Sequence, residues 1–162
     1  MSATPREDVR AAFKTVLDAT FGPGGTAAAM GVIVYDRLPF EGADIRSVVL
    51  TMISGTSKSS GVGMYGGPET NPISRSVMSQ YRLQVDCNYD DKEGCANLAD
   101  AVEQAIWDAH DDLRENHDIH HIQKILDIDT LPLGASVRVP VLTREARVIM
   151  DFTFWTHRRV TA

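Results

Sequence analysis

Cysteine is nearly absent. Cys87 and Cys95 are the only two in 162 residues. Two cysteines make no disulfide framework, so a reducing cytoplasm is the expected place of synthesis. Long apolar runs are also missing: none approaches the ~20 residues of a helical membrane span, and no membrane partner is expected. The opening "MSATPREDVR" lacks the basic start and apolar stretch of a signal peptide, so none is expected. Positive charge is short, with 16 Lys and Arg against 22 Asp and Glu, a net charge of −6. Free duplex-binding domains are usually basic, which argues against sequence-specific nucleic-acid binding.

What is present suits a globular chain. Apolar content is 43% and charged content 23%, ordinary values for a folded domain. The length fits one domain, which buries about two-thirds of its unfolded surface without staples. Thr4, Pro5 and Glu7 form a helix start with cap, first-turn proline and capping-box acid. Val9, Phe13, Val16, Leu17 and Thr20 follow on one face, and "FGPGG" stops the helix, so a helix is expected over 5–20. "AMGVIVYD" and "IRSVVLTMIS" read as strands, the second central because it is apolar on both faces.

Gly55–Ser74 has five glycines and two prolines, and a long flexible loop at 55–75 is expected there. From Tyr81 to Tyr89, apolar and polar residues alternate as in a half-buried strand, with Cys87 on the core side as a small hydrophobe. Asp90, as cap, and Glu93 start a second helix with the stripe Cys95, Leu98, Ala99, Val102, Ile106, Ala109 and Leu113. Trp107 is off that stripe, where it either lies flat on the sheet edge or anchors a partner. "DIHHIQKILDID" is β-leaning, "SVRVPVL" is a short edge strand or a loop, and "ARVIMDFTFWTHRR" is the strongest strand. The order predicts a single α+β domain: a mixed, mainly antiparallel sheet with two helices packed on one face.

No catalytic or metal constellation emerges. His117, His120 and His121 lack both the i, i+4 helical pair with an intervening Glu and the four-ligand set of structural zinc. In a regular strand, His120 and His121 point to opposite faces. "SGTSKSS" puts Met52 and Ser57 where a phosphate-binding loop needs glycines. Asp108, Asp111, Asp112 and Glu115 fall on the exposed side of their helix, and no G-x-S-x-G turn occurs. The expectation is therefore no enzyme, with no catalytic residues, no cofactor and no metal. Charge is unevenly spread: 86–118 holds eleven acids and two bases, while 138–162 holds five arginines and two acids. The acidic stretch is either a solvated helix face or one half of a head-to-tail contact between copies. In the second case Arg158 and Arg159 contribute the basic half; the other reading of these two is a frayed, solvated terminus.

The segment "SQYRLQVDCNYDDKEGCANLADAVEQAIWDA", Ser79 to Ala109, resembles the middle of tail terminator (tail completion) proteins of long-tailed bacteriophages. The N-terminal helix, the "VYDRLP…VVLTMIS" strand pair, the long loop and the closing "RVIMDFTFWTHRR" strand extend the resemblance over most of the chain. It implies a structural virion protein of the tail or neck: a homo-oligomeric ring, generally hexameric, that caps the tail tube. The implied partners are the tail tube protein and the head-tail connector or stopper protein, with genome DNA passing through the lumen. Such rings commonly extend a loop into a neighbour or the tube, and Gly55–Ser74 is the candidate. The alternatives are another neck or tail-tube ring protein, or a small metal-dependent hydrolase built on the histidine and aspartate cluster.

Val62, Met64 and Tyr65 are apolar groups that a purely solvated tether does not need, which makes them candidate contact residues. Deleting Ser60 to Gly67 is expected to leave the thermal unfolding midpoint nearly unchanged while reducing docking onto purified tails. A large loss of stability with normal docking would make the segment part of the core instead.

Overall fold

The computed structural model describes residues 5–37, 44–60, 74–130 and 146–161, with side chains omitted at 5–6, 54–60, 74–78, 130 and 157–161. Helix α1 spans Pro5–Phe21, followed by a 3-10 turn and strand β1, Ile33–Tyr35. Strands β2, Ser47–Ser60, and β3, Ser74–Tyr89, precede helices α2, Lys92–Asp108, and α3, His110–His117. Strand β4 covers Ile119–Thr130 and β5 Ala146–Thr161. The sheet order is β1-β2-β3-β5-β4, with β1 parallel to β2 and every other pair antiparallel. This is the mixed, mainly antiparallel α+β fold that the sequence predicts.

The three helices share one side of the sheet. Val9, Phe13 and Leu17 from α1, Leu98, Val102 and Ile106 from α2, and Leu113 from α3 join one buried cluster. The sheet contributes Val48 and Leu50 from β2, Leu83 and Val85 from β3, and Met150 and Phe152 from β5. Phe154 stacks on Tyr81 at 6.0 Å between ring centroids and meets Phe13 at 5.2 Å, tying α1 to the sheet centre. The alternation of β3 is observed as expected: Tyr81, Leu83, Val85 and Cys87 are buried and the residues between them half-buried.

Several boundaries differ from expectation, each for a local reason. The second helix is two: it breaks at Ala109, whose φ of −88° and ψ of 3° leave the helical range before α3 restarts. Leu113 still reaches the core. The cap of α2 is Asp91, which accepts a hydrogen bond from the Gly94 amide at 2.5 Å. Asp90 is drawn away by Arg46, at 2.7 Å across the start of β2. The expected loop at 55–75 is strand at both ends. β2 and β3 stay paired from Ser47↔Asn88 out to Ser60↔Ser76, and β5 pairs with β3 as far as Ser74↔Thr161. Backbone hydrogen bonding holds this ribbon irrespective of its Gly, Ser and Thr composition. The expected first strand shrinks to Ile33–Tyr35 because Ala28–Met30 turns as a 3-10 helix. Thr4 and the short strand-or-loop at 136–142 lie outside the described residues.

Phe152 is fully buried at the middle of β5. Replacing it by Ala removes an aromatic side chain from a packed core, and a loss of about 3–5 kcal/mol is expected. Urea unfolding should show a lower midpoint with an unchanged slope; a loss under about 1 kcal/mol would mean that the site collapses around the smaller side chain.

Candidate functional site

The side of the sheet away from the helices is a built polar surface. Facing outward there are Arg82, Gln84, Asp86 and Asn88 on β3, and Arg147, Ile149, Asp151 and Thr153 on β5. Paired rows align Asp86 with Ile149 and Gln84 with Asp151, so each ion pair runs diagonally between strands. Arg147 grips both oxygens of Asp86, with Nε and the terminal nitrogen each at 2.5 Å. This fork geometry is the strong form of the contact, and the Asp86 carboxylate raises the Arg147 pKa. Arg82 donates to Asp151 Oδ2 from Nε at 3.0 Å and again from its terminal nitrogen.

Asp151 is only 1% exposed, and its Oδ1 has no hydrogen-bond partner. Val49, between the core residues Val48 and Leu50, is buried on this outer side too. Asn88 donates to Ser47 at 3.4 Å and Gln84 to Asp86 at 3.3 Å. The charges of this face thus meet within the chain. Asp86 and Arg147, counted above in opposite charge blocks, cancel each other here.

The histidines are spread over a junction. His117 ends α3, exposed, and Asp118 follows in the left-handed region with φ 53°. His120 is half-buried, with Nε2 3.7 Å from Asp118. His121 takes φ 54° at a bulge of β4, so regular alternation fails and its ring lies 6.5 Å from that of His120. The expected opposite-face geometry therefore does not hold at this position. Among the described residues, no three His, Cys, Asp or Glu side chains are grouped to hold a metal ion. The acidic helix residues are exposed, and several bond along their own helix: Asp108 with Gln104, Asp112 with Asn116, Asp111 with Arg114.

Both thiols are buried. Cys95 Sγ donates to the Cys87 carbonyl at 3.3 Å. Burial pushes Cys87 well above its ordinary value and Cys95 up to about 11. Such thiols are poor nucleophiles at neutral pH. Between α1 and the α2–α3 pair runs a groove of about 660 Å3, floored by small residues such as Ala12, Ala19, Ala101 and Ala105, with Asp108, Asp112 and His117 among its lining. None of the described helices is long and apolar enough to cross a membrane.

Of the expected contact residues, Val62, Met64 and Tyr65 lie outside the described residues. Arg158 and Arg159 fall in β5, opposite Val77 and Ser76, with their side chains not described. Trp107 is exposed on α2, and its indole donates to Glu103 at 3.3 Å. Glu103 in turn binds Lys124 of β4 at 2.6 Å, and Lys124 also reaches Asp127 at 2.8 Å. The two carboxylates raise the Lys124 pKa. This network sets Trp107 beside the β4 edge. Sequence reading missed it, along with the two diagonal ion pairs and the exposed Ile53 and Ile125. Opposite charges at outward positions of "YRLQVDCNY" and "ARVIMDFTF" are the available signal, but only register says which of them meet.

No protein-family model matches the chain, and no curated protein is significantly similar to it.

The Arg82–Asp151 pair generates an asymmetric prediction. Arg82→Ala leaves a buried carboxylate unpaired and is expected to cost about 3 kcal/mol, the low end for such a break because the guanidinium is partly solvated. Asp151→Asn removes the buried charge and leaves a solvent-accessible arginine, so a smaller loss, about 1 kcal/mol, is expected. Chemical denaturation of both variants decides it; equal losses would show that the carboxylate is solvated after all.

Proposed function

We propose that this chain is a structural virion protein that assembles into a ring, closes the end of a phage tail tube and joins it to the head-side connector. The observation that carries the reading is the order and placement of elements. An N-terminal helix, the parallel pair β1 and β2, the long strand β3, a capped helix on the helical side of the sheet and a closing long strand follow the order that the tail-terminator resemblance implies. The layout also supports a role in contacts more than in chemistry. Its strongest polar interactions, Asp86 with Arg147 and Asp151 with Arg82, form within the chain and hold strands together.

Charge supports the same reading. The exposed acids of α2 and α3 stay on the helix layer, while Arg158 and Arg159 belong to the far end of β5. In a head-to-tail ring these opposite charges face one another and help to select the register of neighbours. The partners on this reading are further copies of the chain, the tail tube protein and the connector or stopper protein, inside the virion. Genome DNA passes through the lumen without sequence readout.

Purified protein is expected to form a closed oligomer by light scattering and to cap the ends of uncapped tail tubes in electron micrographs. Raising salt to about 1 M shortens the screening length to about 3 Å and is expected to lower the oligomer mass. Unchanged mass in salt removes charge from the contact. Decoration along the tube shaft favours a tube-ring role, and a monomer that ignores tubes overturns the reading.

A further inference from the structure

We propose that the two edges of the sheet that carry no further strand among the described residues are the two halves of one subunit contact. The β2 edge of one copy, Thr51–Ser57, pairs antiparallel with the β4 edge of the next copy, Ile119–Leu126. This deepens the ring reading above and rests on it for closure.

The sheet ends in two edges of unlike kind. On one side β1 covers only Ser47–Val49 of β2. From Leu50 to Ser60 the outer edge of β2 has no strand partner among the described residues. On the other side β4 is the last strand among the described residues. An uncovered edge presents a row of unmade backbone hydrogen bonds, which proteins usually guard with charge or proline. The stretch "TMISGTS", Thr51 to Ser57, has neither. It therefore reads as an edge meant to be covered.

Three features match the β4 edge to it. The first is level. Paired rows cross the sheet from Met52 through Leu83 and Phe152 to Lys124, and from Ser57 through Ser79 and Thr156 to Ile119. The free part of β2 thus stands at the same height as Ile119–Leu126, while Ile128–Thr130 stand level with Val49–Ser47, where β1 lies, so the contact ends at Leu126 and the incoming β4 diverges beyond its bulge at Ile125. The second is direction. Three successive antiparallel pairings, β2 to β3, β3 to β5 and β5 to β4, leave β2 and β4 antiparallel. A copy set alongside by rotation about an axis along the strands then presents β4 antiparallel to β2, the more stable pairing. Such a contact is heterologous and, repeated by rotation, closes a ring.

The third is the side chains. Each edge strand has a register shift beside the Phe152 row, between Met52 and Ser54 on β2 and between Lys124 and Leu126 on β4. The residue skipped is an exposed isoleucine in both: Ile53, 44% exposed, and Ile125, 49% exposed. Level pairing brings these two within about one residue step of each other across the contact, burying both. Bulges also raise local twist, which bends a sheet that continues from copy to copy. The one charge on this part of β4, Lys124, is already held by Glu103 and Asp127. Trp107, linked to the same Glu103, stands over the edge as an anchor for the incoming subunit.

The test is crosslinking in the full chain with the variants Ile53→Cys, Ile125→Cys and both together. Cys87 and Cys95 are fully buried and stay silent. With a short bismaleimide the double variant is expected to give a ladder of linked multimers on a denaturing gel, and each single variant only monomer. Linked dimers from either single variant would mean a two-fold contact and overturn the proposal. An intact ring by light scattering that links in none of the variants overturns it too, leaving the ring reading standing. A wild-type chain that stays monomeric overturns both. As a second measure, Ile53→Glu alone is expected to lower the oligomer mass, and adding Ile125→Lys to restore it; no restoration counts against the contact.

Discussion

The antiparallel register of β3 against β5 is the constraint on which the other elements depend. It runs from Ser74↔Thr161 to Tyr89↔Ala146 with no bulge. Side chains of a strand alternate between faces, so one register sets both faces at once. Leu83 and Val85 meet Phe152 and Met150 under the helices, while Asp86 and Gln84 meet Ile149 and Asp151 on the other side. Slipping β3 by one residue would put Arg82, Gln84 and Asp86 into the apolar cluster and expose Leu83. The free energy of desolvating those groups without partners far exceeds any alternative pairing gain. The helices can dock only because this register offers them a continuous apolar floor.

The diagonal ion pairs reinforce the same register from the opposite face. Arg147 reaches Asp86 and Arg82 reaches Asp151 only when Asn88 stands opposite Arg147 and Thr153 opposite Arg82. Removing two charges from water costs nearly what their attraction returns, so such pairs add little net stability. They do penalise wrong pairings, because a slipped strand leaves a half-buried charge alone. Asp151 bears the largest share of that penalty, being almost fully buried with one oxygen unpartnered. At the sheet's other end Arg46 binds Asp90, and its guanidinium lies 4.8 Å from the Tyr89 ring centre, tying the start of β2 to the exit of β3. The regular centre contrasts with bulged edges, and edges are where a sheet meets a neighbour.

Much of this was legible in the residues. Helix α1 followed from its capping pattern and the Val9–Phe13–Leu17 stripe, β3 from strict alternation, and the buried thiol of Cys87 from its place in that alternation. What escaped was set by distant partners. Nothing in "AIWDAHDDL" marks the break at Ala109, because neither Gly nor Pro causes it. Asp90 and Asp91 are equally good caps in isolation; Arg46, distant in sequence, decides between them. The Ser- and Gly-rich run 55–60 reads as loop because its strand character comes from backbone bonds to β3, which composition does not encode. Of the contact residues named from sequence, Trp107 is found exposed at the β4 edge. The apolar trio Val62, Met64 and Tyr65 lies outside the described residues.

The sequence by itself determined the α+β class, helix α1 and strand β3 with the faces they bury, because periods of two and 3.6 residues are local properties of the chain. Only the tertiary structure decided which strands are neighbours, which opposite charges meet, and that Ile53 and Ile125 both lie beside the Phe152 row on the two outer strands of the described sheet. Those facts depend on hydrogen bonds between residues tens of positions apart, and no local pattern specifies such a pairing.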